Sequence, residues 1–329
     1  MDKVRQEEWT TAPAIRRHPA NPVLSAADVP YHATLVFNAG VCRYQGRYVM
    51  VFRNDYGDPA ARRLDGRNQG LAFSADGVRW EAAPHPLFHD DPGHPMYPAR
   101  DARLTVLDGY VYLTGWFNID GVVTGIARTE DFETWETVHI TLPRNRNIAL
   151  FPDRIGGRML RLERPFKGLN DRSHIWISAS PDGRYWGDSA VVLRNSDELF
   201  PGLNNKIGPG APPIRTERGW LCVIHIVDTD TTRRGWGWEG DWQERYSAGL
   251  MLLDLDDPYK LIGYSRSPVL VPEPQYEYES KGYRDNVIFP CGAILEDSDE
   301  VKIYYGAADT VECLATAHVD DLVDLCEPV

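Results

Sequence analysis

The chain has 329 residues, of which 43% are hydrophobic and 25% are charged, a composition ordinary for a globular protein. Its formal net charge of −13 disfavours nucleic acid and anionic membranes as partners, because both repel an acidic protein. The sequence contains no apolar run of about 18 residues, so no transmembrane helix is predicted. The charged N-terminus is not typical of a signal peptide, and the five scattered cysteines contain no Cys-x-x-Cys pair. These features predict a cytoplasmic protein with reduced thiols.

Strand patterns dominate the chain after its first residues. We predict an N-terminal arm at 1–20, helical in part, followed by a single domain at 21–329. The first hairpin pairs 41–44 with 46–53 through a turn at Gln45 and Gly46. Further strand patterns lie at 110–114, 220–225 and 301–305. No amphipathic helix longer than two or three turns is predicted.

A short turn motif recurs along the chain, each time after a small apolar strand. In each copy, Ser or Thr and then Asp supply oxygens that accept from turn amides, and an aromatic residue packs back on the sheet. Three clear copies lie at 74–80, 129–135 and 180–186, and looser counterparts lie at 253–258 and 317–322. Five units about 50–75 residues apart predict an all-β, five-bladed β-propeller. A β-sandwich with chance turn similarity is the alternative.

A propeller forms its active site at one mouth of the central channel, where the innermost strand of every blade ends. Functional residues should therefore recur once per blade, and polar residues beside Gly and Pro do recur in this way. The clusters lie at 36–40 with 52–57 and 65–68, at 99–105, at 144–147 with 162–165, at 205–213 with 224–225, and at 285–290 with 306–309. Each cluster alone is more typical of an ordinary turn, but their recurrence favours a site.

The second cluster contains a carboxylate, Asp101, at the junction of a loop and a strand. Alternate residues of a strand share a face, so Arg103 is predicted to point the same way. We interpret Asp101 as the proton donor of a sugar-cleaving enzyme, and a structural ion pair is the alternative. The ten Trp and sixteen Tyr of the chain suit stacking on sugars, although β cores also use them.

Taken in order, these motifs resemble glycoside hydrolase family 130, the inverting β-mannoside phosphorylases. The resemblance covers the chain from about residue 21 onwards. The matching stretches are 37–40, 51–57, 101–105, 146–152, 161–165, 206–209, 252–258 and 304–315. Arg-Leu-Glu-Arg-Pro at 161–165 and Asp-Thr-Val-Glu-Cys-Leu-Ala at 309–315 are similar to the branch acting on β-1,4-mannooligosaccharides, mannosyl-glucose or mannosyl-N-acetylglucosamine. The resemblance also implies a five-bladed propeller.

The chemistry of that family explains the residue types. Inverting cleavage by water needs an acid and a base, whereas phosphate is already an anionic nucleophile and needs a cationic cradle instead of the base. The resemblance implies that Asp101 is the acid and passes its proton through the mannose 3-hydroxyl. It implies a phosphate cradle of Arg146, Asn147, Arg164, Lys206 and His225, and a mannosyl site of Asn38, Arg53, Asp55 and Asp309, which Asn286 joins. Inorganic phosphate is then a co-substrate beside the oligosaccharide, no cofactor or metal is expected, and the family implies a homo-oligomer.

Other roles for these residues remain open from the sequence. Lys206 and Arg164 could instead form structural ion pairs with Glu163 or Glu217. His225 lies in an apolar strand and could instead be a core histidine. The charge of Arg53 could be neutralised by a structural ion pair with Asp55, but the family site contains the same pair. His85, His89 and His94 lie in a loop with two aspartates, which we interpret as a solvated rim.

The chain departs from the family beside the acid. Family members usually carry tyrosine before it and proline after it, where this chain has Arg100 and Ala102. An inward-pointing arginine would lower the pKa of Asp101 and weaken it as a donor. Strand alternation predicts that Arg100 points away, so the assignment stands, but the acceptor sugar is left open.

Two rival functions fit the same fold. A β-mannoside hydrolase would need a second carboxylate as base, for which Glu163 is the nearby candidate. A carbohydrate-binding propeller would need neither the acid nor the cradle. The loop at 231–242, rich in Trp and Gly, is predicted to form part of the acceptor subsite or an oligomer contact.

Overall fold

Five antiparallel sheets around a central channel contain nearly all the regular structure of the protein. The computed structural model describes residues 9–166, 173–200, 203, 205–229, 235 and 237–329. The predicted all-β, five-bladed β-propeller is confirmed, and the sandwich alternative is wrong. The helices of the described ranges are all too short or too polar to cross a lipid bilayer.

The first three blades follow one another along the chain, each counted here from the channel outwards. A two-residue strand, β1 (Arg16–Arg17), and a 3-10 turn at Ala26–Asp28 precede them. Blade I consists of β2 (Leu35–Tyr44), β3 (Arg47–Asp58), β4 (Arg63–Ser74) and β5 (Glu81–Ala82). Blade II consists of β6 (Arg100–Leu107), β7 (Tyr110–Asn118), β8 (Val122–Thr129) and β9 (Glu136–Ile140). Blade III consists of β10 (Asn145–Leu150), β11 (Met159–Pro165), β12 (Ile175–Ser180) and β13 (Gly187–Leu193).

Each of the last two blades contains one strand from an end of the chain. Blade IV consists of β14 (Lys206–Pro209), β15 (Ile214–Arg215), β16 (Trp220–Thr229), β17 (Glu244–Leu253) and β18 (Leu261–Tyr264), with the C-terminal β22 (Glu327–Pro328) at its outer edge. Blade V consists of β19 (Ile288–Leu295), β20 (Glu300–Ala307) and β21 (Val311–His318), with β1 as its outer strand. Two short helices, α1 (Glu277–Ser280) and α2 (Val319–Asp324), complete the described elements.

The local turns form as the sequence predicts. Gln45 and Gly46 both have positive φ (49° and 80°), as a two-residue hairpin turn between β2 and β3 requires. At the first repeat, Ser74 Oγ accepts from the backbone N–H of Gly77 (2.8 Å), and Asp76 Oδ1 accepts from the next two amides. The repeats at 129–135 and 180–186 contain the same bonds, again after the third strand of a blade. In blade V, the helix α2 follows the third strand in place of this turn.

Hydrophobic contacts join the blades in a ring. Five clusters of buried apolar side chains each lie between two neighbouring blades, so that each blade in the described structure packs on both of its neighbours. The five cysteines all lie in the described part, are buried and form no disulfide. Burial raises the pKa of the Cys42 thiol to about 12, which keeps it protonated.

The N-terminal segment closes this ring. Arg16 and Arg17 pair with Thr316 and Ala315 of β21, so part of the predicted arm is the outer strand of blade V. Residues 9–20 contain no helix, and the rest of the helix predicted near the N-terminus falls on 1–8, outside the described residues. Arg17 donates from Nε and Nη2 to the two carboxylate oxygens of the fully buried Glu279 (2.6 and 2.8 Å).

Replacing Arg17 by Ala should destabilise the protein by about 3 kcal/mol, because Glu279 would remain buried without its cation. The matched control is Arg16→Ala, since Arg16 is exposed on the same strand. Urea unfolding of the two variants measures the difference. Equal stability of both variants would contradict a closing role for the Arg17 ion pair.

Candidate active site

Three innermost strands share one irregularity at the mouth of the channel. In β2, β6 and β10, the pairing register breaks at a residue with positive φ: Asn38 (53°), Asp101 (54°) and Asn147 (58°). A bulge of this kind adds one residue to a strand and turns its side chain to a new direction. All three side chains line the same cavity. The bulges therefore direct these groups into the channel.

The bulge in β6 overturns two expectations from strand alternation. Arg103 does not pair with the Asp101 carboxylate: it donates to the backbone carbonyl oxygens of Asp101 (2.5 Å) and Gly210 (2.9 Å) and lies outside the cavity lining. Arg100 does not point away, because it lines the cavity with its guanidinium over the Trp116 ring. Both errors have one cause, since the extra residue at Asp101 breaks the two-residue period of the strand.

The cavity has a volume of about 510 Å³ and opens at this mouth. It brings together ten of the eleven residues predicted from the sequence: Asn38, Arg53, Asp55, Asp101, Arg146, Asn147, Arg164, Lys206, His225 and Asp309. The eleventh, Asn286, is not part of the lining. Its backbone carbonyl accepts from the N–H of Tyr246 (3.1 Å), which lines the cavity.

Asp101 is buried and is held by three donors. Oδ1 accepts from Asn38 Nδ2 (2.9 Å) and Arg53 Nη1 (3.4 Å), and Oδ2 accepts from Trp116 Nε1 (2.6 Å). Burial alone would raise the pKa of Asp101. The charge of Arg53 and the hydrogen bonds from Trp116 and Asn38 outweigh burial, and the pKa lies below its usual range. In the free site this carboxyl is therefore ionised at neutral pH.

Arg53 connects this carboxylate to a second one. It donates from Nε and Nη2 to the two oxygens of Asp55 (2.9 and 2.5 Å), and Nη1 points to Asp101. Its guanidinium also lies over the Phe37 ring, 4.6 Å from the centroid. The pairing with Asp55 exists as the sequence suggested, but inside the cavity. The pair orients Arg53 rather than removing it from the site.

The predicted cradle lies on blades III and IV. Arg146 and Arg164 stand opposite each other on β10 and β11, and Arg164 Nη1 donates to His225 Nε2 (3.1 Å). Asn147 Nδ2 lies 3.4 Å from the same nitrogen. Burial lowers the pKa of Arg164 to about 10, and burial with nearby cations holds the pKa of His225 well below its usual range. His225 is thus a buried, neutral acceptor that faces the cavity.

The cradle cations differ in how they are balanced. Lys206 Nζ binds both oxygens of Glu244 (2.9 Å each), not Glu163 or Glu217. Over the described ranges, no carboxylate forms an ion pair with Arg146 or Arg164, and the Nε atom of each is buried without a hydrogen-bond partner. The buried Arg164 and the half-buried Arg146 are thus two unbalanced guanidinium groups on paired strands, an arrangement that suits an anion.

Asp309 has the opposite electrostatic setting from Asp101. Arg284 donates to its Oδ2 (3.1 Å) but also binds Glu239 with two nitrogens (2.9 and 3.0 Å). Burial raises the pKa of Asp309, the cations only partly oppose this, and the nearby Asp101 raises it further. The two aspartates therefore differ in their tendency to hold a proton.

Comparison with known proteins agrees with this site. The family model described as beta-1,4-mannooligosaccharide phosphorylase matches residues 5–328. This chain belongs to glycoside hydrolase family 130. The resemblance inferred from the motifs is thus confirmed, and the family is one of mannoside phosphorylases.

Three family 130 proteins illustrate its range. The beta-1,4-mannooligosaccharide phosphorylase of Ruminococcus albus is 33% identical, with 96% of this chain and 93% of that protein covered. The 1,2-beta-oligomannan phosphorylase of a Thermoanaerobacter species is 29% identical, with 94% and 98% covered. The solved complex of the Listeria innocua beta-1,2-mannobiose phosphorylase with beta-1,2-mannobiose has a TM-score of 0.79 at 26% identity, covering 94% of this chain and 98% of that one. Both linkages thus occur among its relatives.

The sequence analysis missed several residues of this family 130 site. They share a position at the same mouth on second or third strands or in loops, and they are Trp116, Asn118, Glu244, Tyr246, Tyr283 and Arg284. For Trp116, one signal was available: β7 pairs with β6, so its far end must lie beside Asp101. The loop residues carried no such signal, because their position depends on contacts between blades.

The Trp- and Gly-rich loop is only partly within the described residues, which omit 230–234 and 236. Its described end reaches the site. Trp242 lines the cavity, stacks on Tyr246 with ring centroids 5.9 Å apart, and lies under the Arg284 guanidinium. This placement is consistent with the predicted acceptor subsite, and an oligomer contact stays a prediction.

The histidine-rich loop has no metal site within the parts of the chain that are described. His85 and His89 stack with ring centroids 4.8 Å apart, and His94 stacks on Phe88. No group of three or more His, Cys, Asp or Glu side chains in these ranges is placed to hold a metal ion.

Proposed function

We propose that the protein catalyses phosphorolysis of β-1,4-mannosides with inversion, giving α-mannose 1-phosphate and the shortened sugar. The observation that carries this proposal is the unbalanced pair Arg146 and Arg164, which lines the same cavity as the carboxyl of Asp101. An anion must be supplied to balance these charges, and inorganic phosphate is the anion that the reaction consumes. No organic cofactor or metal takes part in the proposed reaction.

Phosphate takes the place that a base and water would hold in a hydrolase. The guanidinium groups of Arg146 and Arg164 bind its oxygens, with Lys206 as a further cation and Asn147 as a donor. One phosphate oxygen attacks the anomeric carbon from the face opposite the glycosidic oxygen. The new C–O bond forms as the old one breaks, which inverts the configuration at that carbon.

Asp101 supplies the proton that the leaving oxygen needs. The proton passes to that oxygen through the mannosyl 3-hydroxyl, as the family resemblance implies. The mannosyl ring is held by Asn38, Arg53, Asp55 and Asp309, because carboxylates, amides and a guanidinium bind sugar hydroxyls through directed hydrogen bonds. Asn286 supports this site through its backbone contact with Tyr246.

The base that the hydrolase alternative named does not line this cavity. Glu163, its candidate, accepts from Arg161 Nη2 (2.9 Å) and Asn145 Nδ2 (2.6 Å) and is not part of the lining. The 33% identity to a beta-1,4-mannooligosaccharide phosphorylase and the motifs at 161–165 and 309–315 favour the β-1,4 linkage. A homo-oligomer stays a prediction.

The test is release of mannose 1-phosphate from β-1,4-mannobiose, β-1,2-mannobiose and mannosyl-glucose, with and without inorganic phosphate. Product from a β-1,4 substrate only when phosphate is present supports the proposal. Free mannose released equally without phosphate would mean a hydrolase. Turnover restricted to β-1,2-mannobiose would overturn the linkage but leave phosphorolysis in place.

Phosphate binding should also change the pH dependence of the reaction. In the free site the pKa of Asp101 is lowered, so the acid form is scarce at neutral pH. A phosphate dianion offsets the positive field of the cradle and raises that pKa, because it disfavours a second negative charge nearby. Activity requires protonated Asp101 and is lost as pH rises through its pKa.

We therefore expect the alkaline limb of kcat/KM for the sugar to move to higher pH as phosphate rises from low to saturating concentration. Initial rates at several phosphate concentrations across the pH range measure this shift. A limb that stays in place, or moves to lower pH, would contradict the coupling between phosphate and Asp101.

A further inference from the structure

Two cations of the cavity have no close anionic partner of their own among the described residues, even when phosphate is bound. Seven cationic side chains line it, Arg53, Arg67, Arg100, Arg146, Arg164, Lys206 and Arg284, and four carboxylates do, Asp55, Asp101, Glu244 and Asp309. Each carboxylate already binds a cation: Arg53 takes two of them, Lys206 one and Arg284 one. A phosphate dianion would offset Arg146 and Arg164. Arg67 and Arg100 are then left over.

Arg100 has a defined position, but no anionic partner for it lies among the residues that the structure describes. Its guanidinium carbon lies 4.3 Å from the centroid of the Trp116 ring, and its Nε is buried without a hydrogen-bond partner. No carboxylate of the described ranges lies within ion-pair distance of it. Arg67 of blade I, next to blade II, is only weakly balanced, because its Nε is 3.9 Å from Asp55, whose oxygens bind Arg53.

The place of Arg100 favours the leaving sugar over phosphate. The cradle lies on blades III and IV, whereas Arg100 is the neighbour of Asp101 on blade II. In an inverting displacement, the nucleophile and the leaving oxygen lie on opposite faces of the anomeric carbon. Trp116 donates to Asp101, and its ring contacts both Arg100 (4.3 Å) and the cradle residue Arg146 (3.8 Å). Of these two cations, Arg100 is the one on the strand of the acid, which protonates the leaving oxygen, so we place it beside the leaving sugar.

We propose that Arg100 binds a carboxylate on the leaving sugar, so that the preferred substrates are β-mannosides of a uronic acid. A guanidinium matches a carboxylate with two parallel hydrogen bonds, and the Arg100 guanidinium lines the cavity. The proposal rests on the phosphorylase function and names the substrate class of its acceptor subsite. It gives the arginine that replaces the usual family tyrosine a chemical role.

The experiment uses the synthetic direction, with α-mannose 1-phosphate as donor and D-glucuronate, D-glucose or D-glucose 6-phosphate as acceptor. For the wild type, kcat/KM for glucuronate should exceed that for glucose at least tenfold. In Arg100→Tyr the ratio of the two should fall at least tenfold, and in Arg100→Lys it should fall less, because the charge remains. The matched control is Arg128→Tyr, since Arg128 stacks at 4.3 Å on Tyr110 of the same blade, away from the cavity. Its ratio should be that of the wild type.

Three results would overturn the proposal: equal kcat/KM for glucuronate and glucose, a ratio unchanged in Arg100→Tyr, or a preference for glucose 6-phosphate over glucuronate. A raised KM for inorganic phosphate with an unchanged acceptor ratio would assign Arg100 to the cradle instead. If no acceptor reacts and β-1,4-mannobiose with phosphate gives no mannose 1-phosphate, the phosphorylase function fails. Calorimetric titration of glucuronate and glucose into the phosphate-bound protein then tests Arg100 by itself. If the wild type binds glucuronate more tightly than glucose and Arg100→Tyr does not, the proposal is supported. If the wild type binds both sugars equally, the proposal is overturned.

Discussion

Replacing Asp101 by Asn should lower kcat for phosphorolysis by about a thousandfold or more while sugar binding persists. An amide has no carboxylic proton to pass to the leaving oxygen, and positioned general acids contribute on the order of 100- to 10,000-fold. The side chains have nearly the same shape, so the cavity is retained. Release of mannose 1-phosphate at saturating phosphate measures the loss, and calorimetry with the sugar measures binding. Turnover within tenfold of the wild type would remove Asp101 from the catalytic role.

The control for this variant is Trp116→Phe, which keeps the acid but removes one donor to its carboxylate. Loss of that hydrogen bond raises the pKa of Asp101, because the bond favours the ionised form. The alkaline limb of the pH profile should therefore move to higher pH, with a loss in kcat of less than about tenfold. A loss as large as that of Asp101→Asn would mean that Trp116 does more than orient the acid.

Replacing Arg164 by Met should raise the KM for phosphate by about 100-fold or more and at the same time stabilise the phosphate-free protein. Charge-assisted bonds to phosphate are lost, each of about 1.5–3 kcal/mol. Without ligand, however, Arg164 is a buried cation with no carboxylate partner among the described residues, and an apolar side chain of similar length avoids that cost. Activity and stability should thus change in opposite directions.

The matched control is Arg161→Met on the same strand. Arg161 is also buried, but it pairs with Glu163 and lies outside the cavity. Its loss leaves a buried carboxylate unpaired, so this variant should be destabilised while its KM for phosphate stays that of the wild type. Thermal unfolding with and without phosphate, together with initial rates, separates the two variants. Destabilisation of Arg164→Met in the absence of phosphate would contradict an anion site held ready in the free protein.

The sequence was informative where local chemistry decides the structure. The Ser-Asp turns at 74–80, 129–135 and 180–186 form from bonds within a few residues, so their recurrence was enough to count blades. The hairpin turn at Gln45 and Gly46 is local in the same sense. The closing strand β1 carried no such signal, because its pairing with β21 joins residues about 300 positions apart, a contact that only the finished ring makes.

The site was predictable in composition but not in orientation. The cationic and carboxylate residues of the cavity stood out by type and by their recurrence, whereas the direction of Arg100 depends on a bulge that strand alternation does not foresee. Trp116 was missed because an aromatic residue near the end of a strand is typical of a core. Asn286 was predicted as a sugar ligand, yet it borders the site through its backbone, where its positive φ of 59° turns the chain.

The shared bulge of Asn38, Asp101 and Asn147 also limits which amino acids these blades can use. A left-handed backbone conformation strongly disfavours most side chains but tolerates Asn and Asp, whose short polar groups suit it. The three positions are equivalent in the repeated blade, and the backbone conformation at each of them accepts two kinds of side chain, an amide or a carboxylate. A longer acid such as Glu would strain the backbone at residue 101. In the proposed mechanism, the repeat thus supplies an amide for the sugar side, an acid for proton transfer and an amide for the phosphate side without any change in its framework.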